Sequence, residues 1–535
     1  MNIAQSALPT QLKRKSELDF PVSSLVSLAQ KLLHLLRSTS LESFRLDRAL
    51  VPRCVGGQVR YLNGVRDESF HPDICPSPRR AEMLRGPRSL ACAALLLLVS
   101  PFANTSSATN GTGPTVDAVI AVFDVIHYEA EIEPDIANKS IKGKERIRFL
   151  AGKDNLAAID LDCGELTIDT VFEQGSALRF VVKDRRLLIS LARPAKSKEK
   201  REIELNYHGA PKRGIRFFPE QQQVYTVFST SQWLVCVDAP DDRATVRLTL
   251  ILPAALGNVA NGQLVRTRKL PDGRMASEWL QQNPVPTYTF GFAVGPFHSL
   301  SERRGNLELR YLSTQFSDEQ LRRIFRDTAD MIGFYEERAG VRYADATYTQ
   351  VLAAGGVEQE MSSFTALREA YGREVLADEH ALWLGAHELA HQWWGNMVTC
   401  RDWTHFWLNE GMASFMASAY KEHRFGRESY QRDIDQYRTS YEKVRDAGKD
   451  RSLVFPDWLH PTAADRTLVY DKGAYVLHLL RLELGERAFW EGLRQYTRAY
   501  FGKSVTTPDF QAAMEHASGR SLNEFFGKWV YLTVP

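Results

Sequence analysis

Two histidines four residues apart, with a glutamate directly after the first, are the best-placed chemical groups in this 535-residue chain: His387-Glu388-Leu389-Ala390-His391. They lie within residues 383–394, good helix formers that run until Gly395-Asn396. Positions four apart on a helix share a face, so both imidazoles can aim a ring nitrogen at one point, where a zinc ion would sit about 2.0–2.1 Å from each. Glu388 would stand near enough to address a water there without ligating the metal. The third ligand must come from another element. A second helix begins near Trp407, after a loop containing Cys400 to Thr404, and Glu410 is its candidate. His387, His391 and Glu410 would leave a fourth zinc position open, which is the pattern of a catalytic site and not of a structural one. The bland alternative is a solvated helix face. Against it stands the apolar, Trp-rich setting, in which two histidines and a glutamate without partners would be costly to bury.

The elements that must position these residues fall into two regions. Over 117–299 the pattern is strand-like, with alternation such as Thr245-Val246-Arg247-Leu248-Thr249-Leu250-Ile251-Leu252 ended by Pro253. Residues 179–182 and 187–191 read as hairpin-linked strands, and the region as an all-β sandwich or saddle. From 300 to 535 the character changes. Ser317-Asp318-Glu319-Gln320 is a capping box, Phe316 and Leu321 form a hydrophobic staple, and Leu321, Ile324, Phe325, Thr328, Ile332 and Tyr335 follow at helical spacing as core. Residues 348–353 read as a strand and the remainder as mainly helical, so the chain is a multidomain α+β protein.

Composition bounds the function. With 67 Lys plus Arg against 65 Asp plus Glu, the net charge of +2 argues against a general nucleic-acid or acidic-membrane binder. The six cysteines, Cys54, Cys75, Cys92, Cys163, Cys236 and Cys400, form no CxxC pair and imply no disulfide framework. Near the N-terminus, Met83-Leu84-Arg85-Gly86-Pro87-Arg88 precedes a 13-residue apolar run over 90–102 and then small polar residues through Ala108. That order matches an export signal, with Met83 expected as the true start, 1–82 as a non-native or disordered extension, and 83–116 as signal and linker. The run is shorter than the about 20 residues a spanning helix needs, so no stable membrane span is expected, and export is. A membrane anchor at 90–102 is the alternative.

With 18 residues between His391 and Glu410, the zinc segment resembles that of the gluzincin aminopeptidases, the family of alanyl, leucyl and puromycin-sensitive aminopeptidases and of the leukotriene hydrolase. Gly355-Gly356-Val357-Glu358-Gln359 resembles that family's exopeptidase motif, and Tyr470-Asp471-Lys472-Gly473-Ala474 the segment bearing its catalytic tyrosine. Ser231-Gln232 with Val237-Asp238-Ala239-Pro240 is similar to the substrate-facing part of its β domain. The resemblance implies a β domain followed by a thermolysin-like catalytic domain, with one zinc held by His387, His391 and Glu410. It implies Glu388 as general base, Tyr470 as transition-state stabiliser, and substrate contacts at Gly355, Gly356, Glu358, Gln359 and Gln232, with Glu358 holding the free amine of a peptide.

This chain departs from the family pattern in three places. Val357 and Gln359 replace the usual Met and Asn, and Leu234 stands where some relatives place an acidic residue. The resemblance also reaches Pro535 without the large helical C-terminal domain of longer members, which implies a short form with a more open cleft. Two other readings remain open from the sequence: a zinc endopeptidase without an amine anchor, and a non-hydrolytic peptide-binding protein on the same fold.

Overall fold

The computed structural model describes residues 122–356, 358–456, 458 and 461–533. The expected extension, signal segment and linker lie outside the described residues, as do Val357 and Pro535. Among the described residues no helix is long and apolar enough to cross a membrane.

The N-terminal half of the described chain is β-rich. Its largest sheet has eight strands, in the spatial order Gln263–Lys269, Met275–Pro286, Arg243–Leu252, Phe123–Asp135, Ser140–Ala151, Lys200–Gly209, Thr167–Glu173 and Ser176–Ala177. In Arg243–Leu252 the alternation read from sequence sends Ala244, Val246, Leu248 and Leu250 into the core, and Arg243, Thr245, Arg247 and Thr249 outward. Neighbouring strands in this sheet are antiparallel except Phe123–Asp135 with Arg243–Leu252. The expected hairpin is present: Phe180–Lys183 and Arg186–Ala195 are joined through Asp184 and Arg185, whose φ of 50° and 65° suit a tight two-residue turn. A smaller sheet of Gly257–Ala260, Phe292–Gly295, Gln223–Thr226 and Ile215–Phe218 lies toward the C-terminal half. There the Gln223 side chain accepts a hydrogen bond from the Ala354 N–H at 2.8 Å.

The C-terminal half is mainly helical around a second hydrophobic core. It opens with a four-stranded sheet, ordered His298–Arg304, Leu307–Ser313, Thr347–Ala353 and Phe364–Arg368. The first pair is antiparallel and the other two are parallel. The Ser317 capping box forms as read, with Ser317 accepting from the Gln320 N–H and the Gln320 side chain accepting from the Ser317 N–H. Its apolar stripe is shared by two helices, Asp318–Ile324 and Thr328–Ala339, and every residue named for it is buried.

Polar contacts fasten the two halves together. Asn261 Nδ2 donates to the Thr289 and Ser362 carbonyls, each at 2.8 Å, and Tyr288 donates to the Gly395 carbonyl at 2.8 Å. Arg243 reaches from its strand to Thr399 Oγ1 and the Asn396 carbonyl, at 3.1 and 2.9 Å.

Candidate metal centre and active site

Helix Trp383–Ala390 presents His387 and Glu388, and His391 caps its C-terminus with φ −56° and ψ −25°. The helix is one turn shorter than the sequence suggests. The chain then folds back tightly, with the Gly395 N–H bonding the Val398 carbonyl at 2.8 Å and the Asn396 N–H bonding that of His391 at 2.9 Å. Gly395 is needed twice over. Its φ of 142° is unfavourable for a side chain, and a Cβ there would stand 2.7 Å from His391 Nδ1. Trp393 and Trp394, expected to continue the helix, are buried in the core instead.

The second helix, Trp407–Phe425, carries Glu410 in its first turn, where the helix N-terminus favours a carboxylate. Glu410 Oε2 lies 3.4 Å from both His387 Nε2 and His391 Nε2, and those two nitrogens are 3.0 Å apart. All three side chains are almost wholly buried. The outer nitrogens have their own partners, which leaves the Nε2 lone pairs facing inward: His391 Nδ1 is 3.1 Å from the Trp394 carbonyl and His387 Nδ1 is 3.4 Å from Ser414 Oγ.

This donor set fits zinc. A triangle with these three sides has a point about 2.0 Å from every corner, which is the length of a zinc bond to nitrogen or oxygen. The charge distribution asks for a cation too. Burial lowers the His387 pKa to about 4. At His391 burial acts the same way, but the Glu410, Glu360 and Glu388 carboxylates outweigh it and push the pKa up to about 10. Glu410 itself is held down at about 2 despite burial, chiefly by His391. A pocket of carboxylates that draws a proton onto one imidazole is a pocket that favours a divalent cation.

Glu388 is buried, and its Oε2 has no hydrogen-bond partner among the described residues. Burial and the neighbouring Glu360 push its pKa well above the usual carboxylate range. Tyr470 sits on a π-helical turn, Leu468–Lys472, a local geometry found often at functional sites. Its ring stacks against that of His387, with centroids 6.0 Å apart and planes 19° apart, and its hydroxyl is within hydrogen-bonding reach of Glu410. The structure thus brings His387, Glu388, His391, Glu410 and Tyr470 to one place.

The segment after Gly355 contributes more than the sequence singled out. Gly355 has φ 92° and lies under the Phe218 ring, which a Cβ would meet at 2.6 Å. Glu358 Oε1 accepts from Arg368 Nη1 at 2.5 Å, and its side chain is 13% exposed. Glu360, two residues on, is more deeply enclosed and acts electrostatically on Glu388, His391 and Tyr470. Burial raises its pKa to about 7. Sequence reasoning missed Glu360, although Glu358 and Glu360 share one side of an extended segment. It also missed Gln392 and Asn396, which tie the Glu360 segment to the histidines. Gln392 bonds the Met361 carbonyl and the Ser363 N–H, each at 2.9 Å, and Asn396 Nδ2 bonds the Glu360 carbonyl at 3.0 Å. Gln232 is buried in the β half, its amide packed against Gly164 and its Oε1 without a hydrogen-bond partner among the described residues.

Fold and site together define a gluzincin-type metal centre on a β domain followed by a helical domain. Residues 125–289 match the Peptidase M1 N-terminal domain and residues 325–529 the Peptidase family M1 domain. The chain belongs to peptidase family M1. It is 24% identical over 436 residues to the probable aminopeptidase 2 of Sulfurisphaera tokodaii, covering 75% of this chain and 53% of that protein. It is 28% identical over 318 residues to aminopeptidase N of Lactococcus lactis, covering 55% of this chain and 36% of that one. The chain thus spans about half the length, or less, of these curated relatives. In fold it matches a variant of the M1 zinc metallopeptidase of Deinococcus radiodurans bound to a Tyr-Ser-Ala substrate. The TM-score is 0.67 at 23% identity, over 77% of this chain and 95% of that one.

Proposed function

We propose that the protein is an aminopeptidase that binds one zinc ion per chain and hydrolyses the first peptide bond of peptides with a free N-terminus. One observation carries this reading: three clustered ligand atoms, the Glu388 Oε2 that has no hydrogen-bond partner among the described residues, and the buried Glu360 carboxylate lie close together.

Zinc held by His387, His391 and Glu410 would supply Lewis acidity, polarising the scissile carbonyl and bringing the pKa of the attacking water to about 7. Glu388 takes the proton of that water at Oε2 and returns it to the leaving amine. The Tyr470 hydroxyl donates to the carbonyl oxygen as negative charge grows there.

The substrate ammonium sits against the Glu358 and Glu360 carboxylates, which fixes the first peptide bond over the metal centre. Arg368 orients the Glu358 carboxylate for this contact, and the more enclosed Glu360 adds negative charge beside it. A carboxylate about 4 Å from an ammonium at an effective dielectric near 20 gains up to about 4 kcal/mol before desolvation is subtracted. Acetylating the N-terminus of a good peptide substrate is therefore expected to abolish turnover, and Glu358→Gln to raise KM at least tenfold, more than Glu360→Gln does. Unchanged turnover of the acetylated peptide would overturn the aminopeptidase reading. A larger effect of Glu360→Gln would move the anchor to Glu360.

A further inference from the structure

The imidazole of His387 lies between two other aromatic rings. On one face is Tyr470, with centroids 6.0 Å and planes 19° apart; on the other is Trp383, one helical turn earlier, at 4.8 Å and 27°. Trp383 opens helix Trp383–Ala390 and is only partly buried, so packing alone does not fix its ring.

Hydrogen bonding does. The Trp383 indole N–H donates to the Tyr437 hydroxyl at 2.7 Å, and Tyr437 comes from a third helix, Arg427–Asp446. That hydroxyl donates to the Ser414 carbonyl at 3.1 Å and takes a further bond from Ser418 Oγ at 2.9 Å. A phenolic oxygen can accept two bonds and donate one, so this hub is complete. Ser414 stands one turn after Glu410 on helix Trp407–Phe425, and its own hydroxyl faces His387 Nδ1. The Tyr437 hub thus reaches His387 twice, across the ring face through Trp383 and at the outer nitrogen through Ser414.

We propose that Trp383, clamped by Tyr437, is a positioning residue that sets the plane of the His387 ring, and with it the direction of Nε2 and the seat of Tyr470. An imidazole turns over a broad range about its terminal side-chain torsion. The Ser414 contact, at 3.4 Å, is a long one with which to stop it. A flat ring held against the face of the imidazole allows it one plane. The inference rests on the proposed zinc site and deepens it by naming what orients one of its ligands. Tyr470 leans on the same imidazole from the opposite side, so a change of plane reaches metal affinity and the Tyr470 hydroxyl together.

The test uses the full chain and two variants, Trp383→Leu and Tyr437→Phe. Each is compared with the unmodified protein for the zinc Kd by chelator competition, the visible spectrum of the cobalt-substituted protein, the thermal midpoint, and kcat and KM on an aminoacyl fluorogenic substrate. Trp383→Leu removes the ring. Tyr437→Phe keeps every ring and cuts the hub, and it carries the test if Trp383→Leu fails to fold. The expected result for both is a zinc Kd raised about tenfold or more, an altered cobalt band, and kcat falling by a larger factor than KM rises. A merely structural tryptophan would move the thermal midpoint alone, so an unchanged zinc Kd and cobalt band in either folded variant would overturn the proposal. If the variants match an unmodified protein that binds zinc and turns over peptides, the proposed function stands and this inference falls. If the folded, unmodified protein binds no zinc, both fall.

Discussion

Burial, with Glu410 adding to it, pushes the Tyr470 phenol well above its usual range, so the hydroxyl stays protonated and can donate a hydrogen bond to an oxygen gaining charge. Tyr470→Phe is therefore expected to lower kcat about 10²- to 10³-fold in steady-state assays, with KM and zinc content nearly unchanged. A matching rise in KM would instead make Tyr470 a substrate-binding residue. His387, Glu388 and His391 could be read together from sequence because helix periodicity alone puts them near one another. Glu410 was legible because it opens the next helix. Glu360 was not, because its place depends on the register of the segment pairing Gln359 with Ala366 and on side-chain ties from Gln392 and Asn396. Two neighbouring carboxylates gave no local sign of which one would be neutralised by Arg368.

Helix Trp407–Phe425 and the π-helical turn bearing Tyr470 meet through glycine. A Cβ on Gly411 would stand 2.9 Å from the Gly473 Cα, and a Cβ on Gly473 equally close to the Gly411 Cα. Gly411 directly follows Glu410, so this contact sets how near Tyr470 comes to the metal ligand. Lys472, buried on the same turn, fastens it to Asp450 at 2.8 Å. Gly473→Ala is expected to cost about 1–3 kcal/mol by overpacking and to lower kcat while zinc remains bound, as checked by denaturant unfolding and metal analysis. Full activity with normal stability would show that the helices can part without consequence. Strong elements such as strand Arg243–Leu252 and the Ser317-capped helix were legible because their periodicity and caps are local. The early end of helix Trp383–Ala390 was not. Residues 391–394 have helical propensity, and the fold-back at Gly395 and burial of both tryptophans override it.

The described residues pack around two hydrophobic cores, and the contacts that join the two halves include directed polar ones. Arg243 is the most exacting of these. Burial lowers its pKa to about 10, and it bonds across the junction to Thr399 and the Asn396 carbonyl, close to the histidine segment. Arg243→Met is expected to lower stability by about 1–3 kcal/mol, measured by denaturant unfolding, and to raise KM because Asn396 also holds Glu360. A stability loss with unchanged KM would confine Arg243 to joining the halves. The two-region organisation was visible as a change of hydrophobic period, whereas the pairing of one half with the other was not, since it rests on scattered hydrogen bonds and on apolar residues such as Leu312, Val351, Met361 and Phe364 packed into the β half's core, with no repeating pattern.

The most direct measurement is zinc content and peptide turnover in the same samples of unmodified protein and of Glu388→Gln. The expected result is one zinc per chain in both, with turnover falling by about 10³-fold or more in the variant. Absence of zinc from the folded, unmodified protein, or full turnover by Glu388→Gln, would contradict a metal centre served by this glutamate.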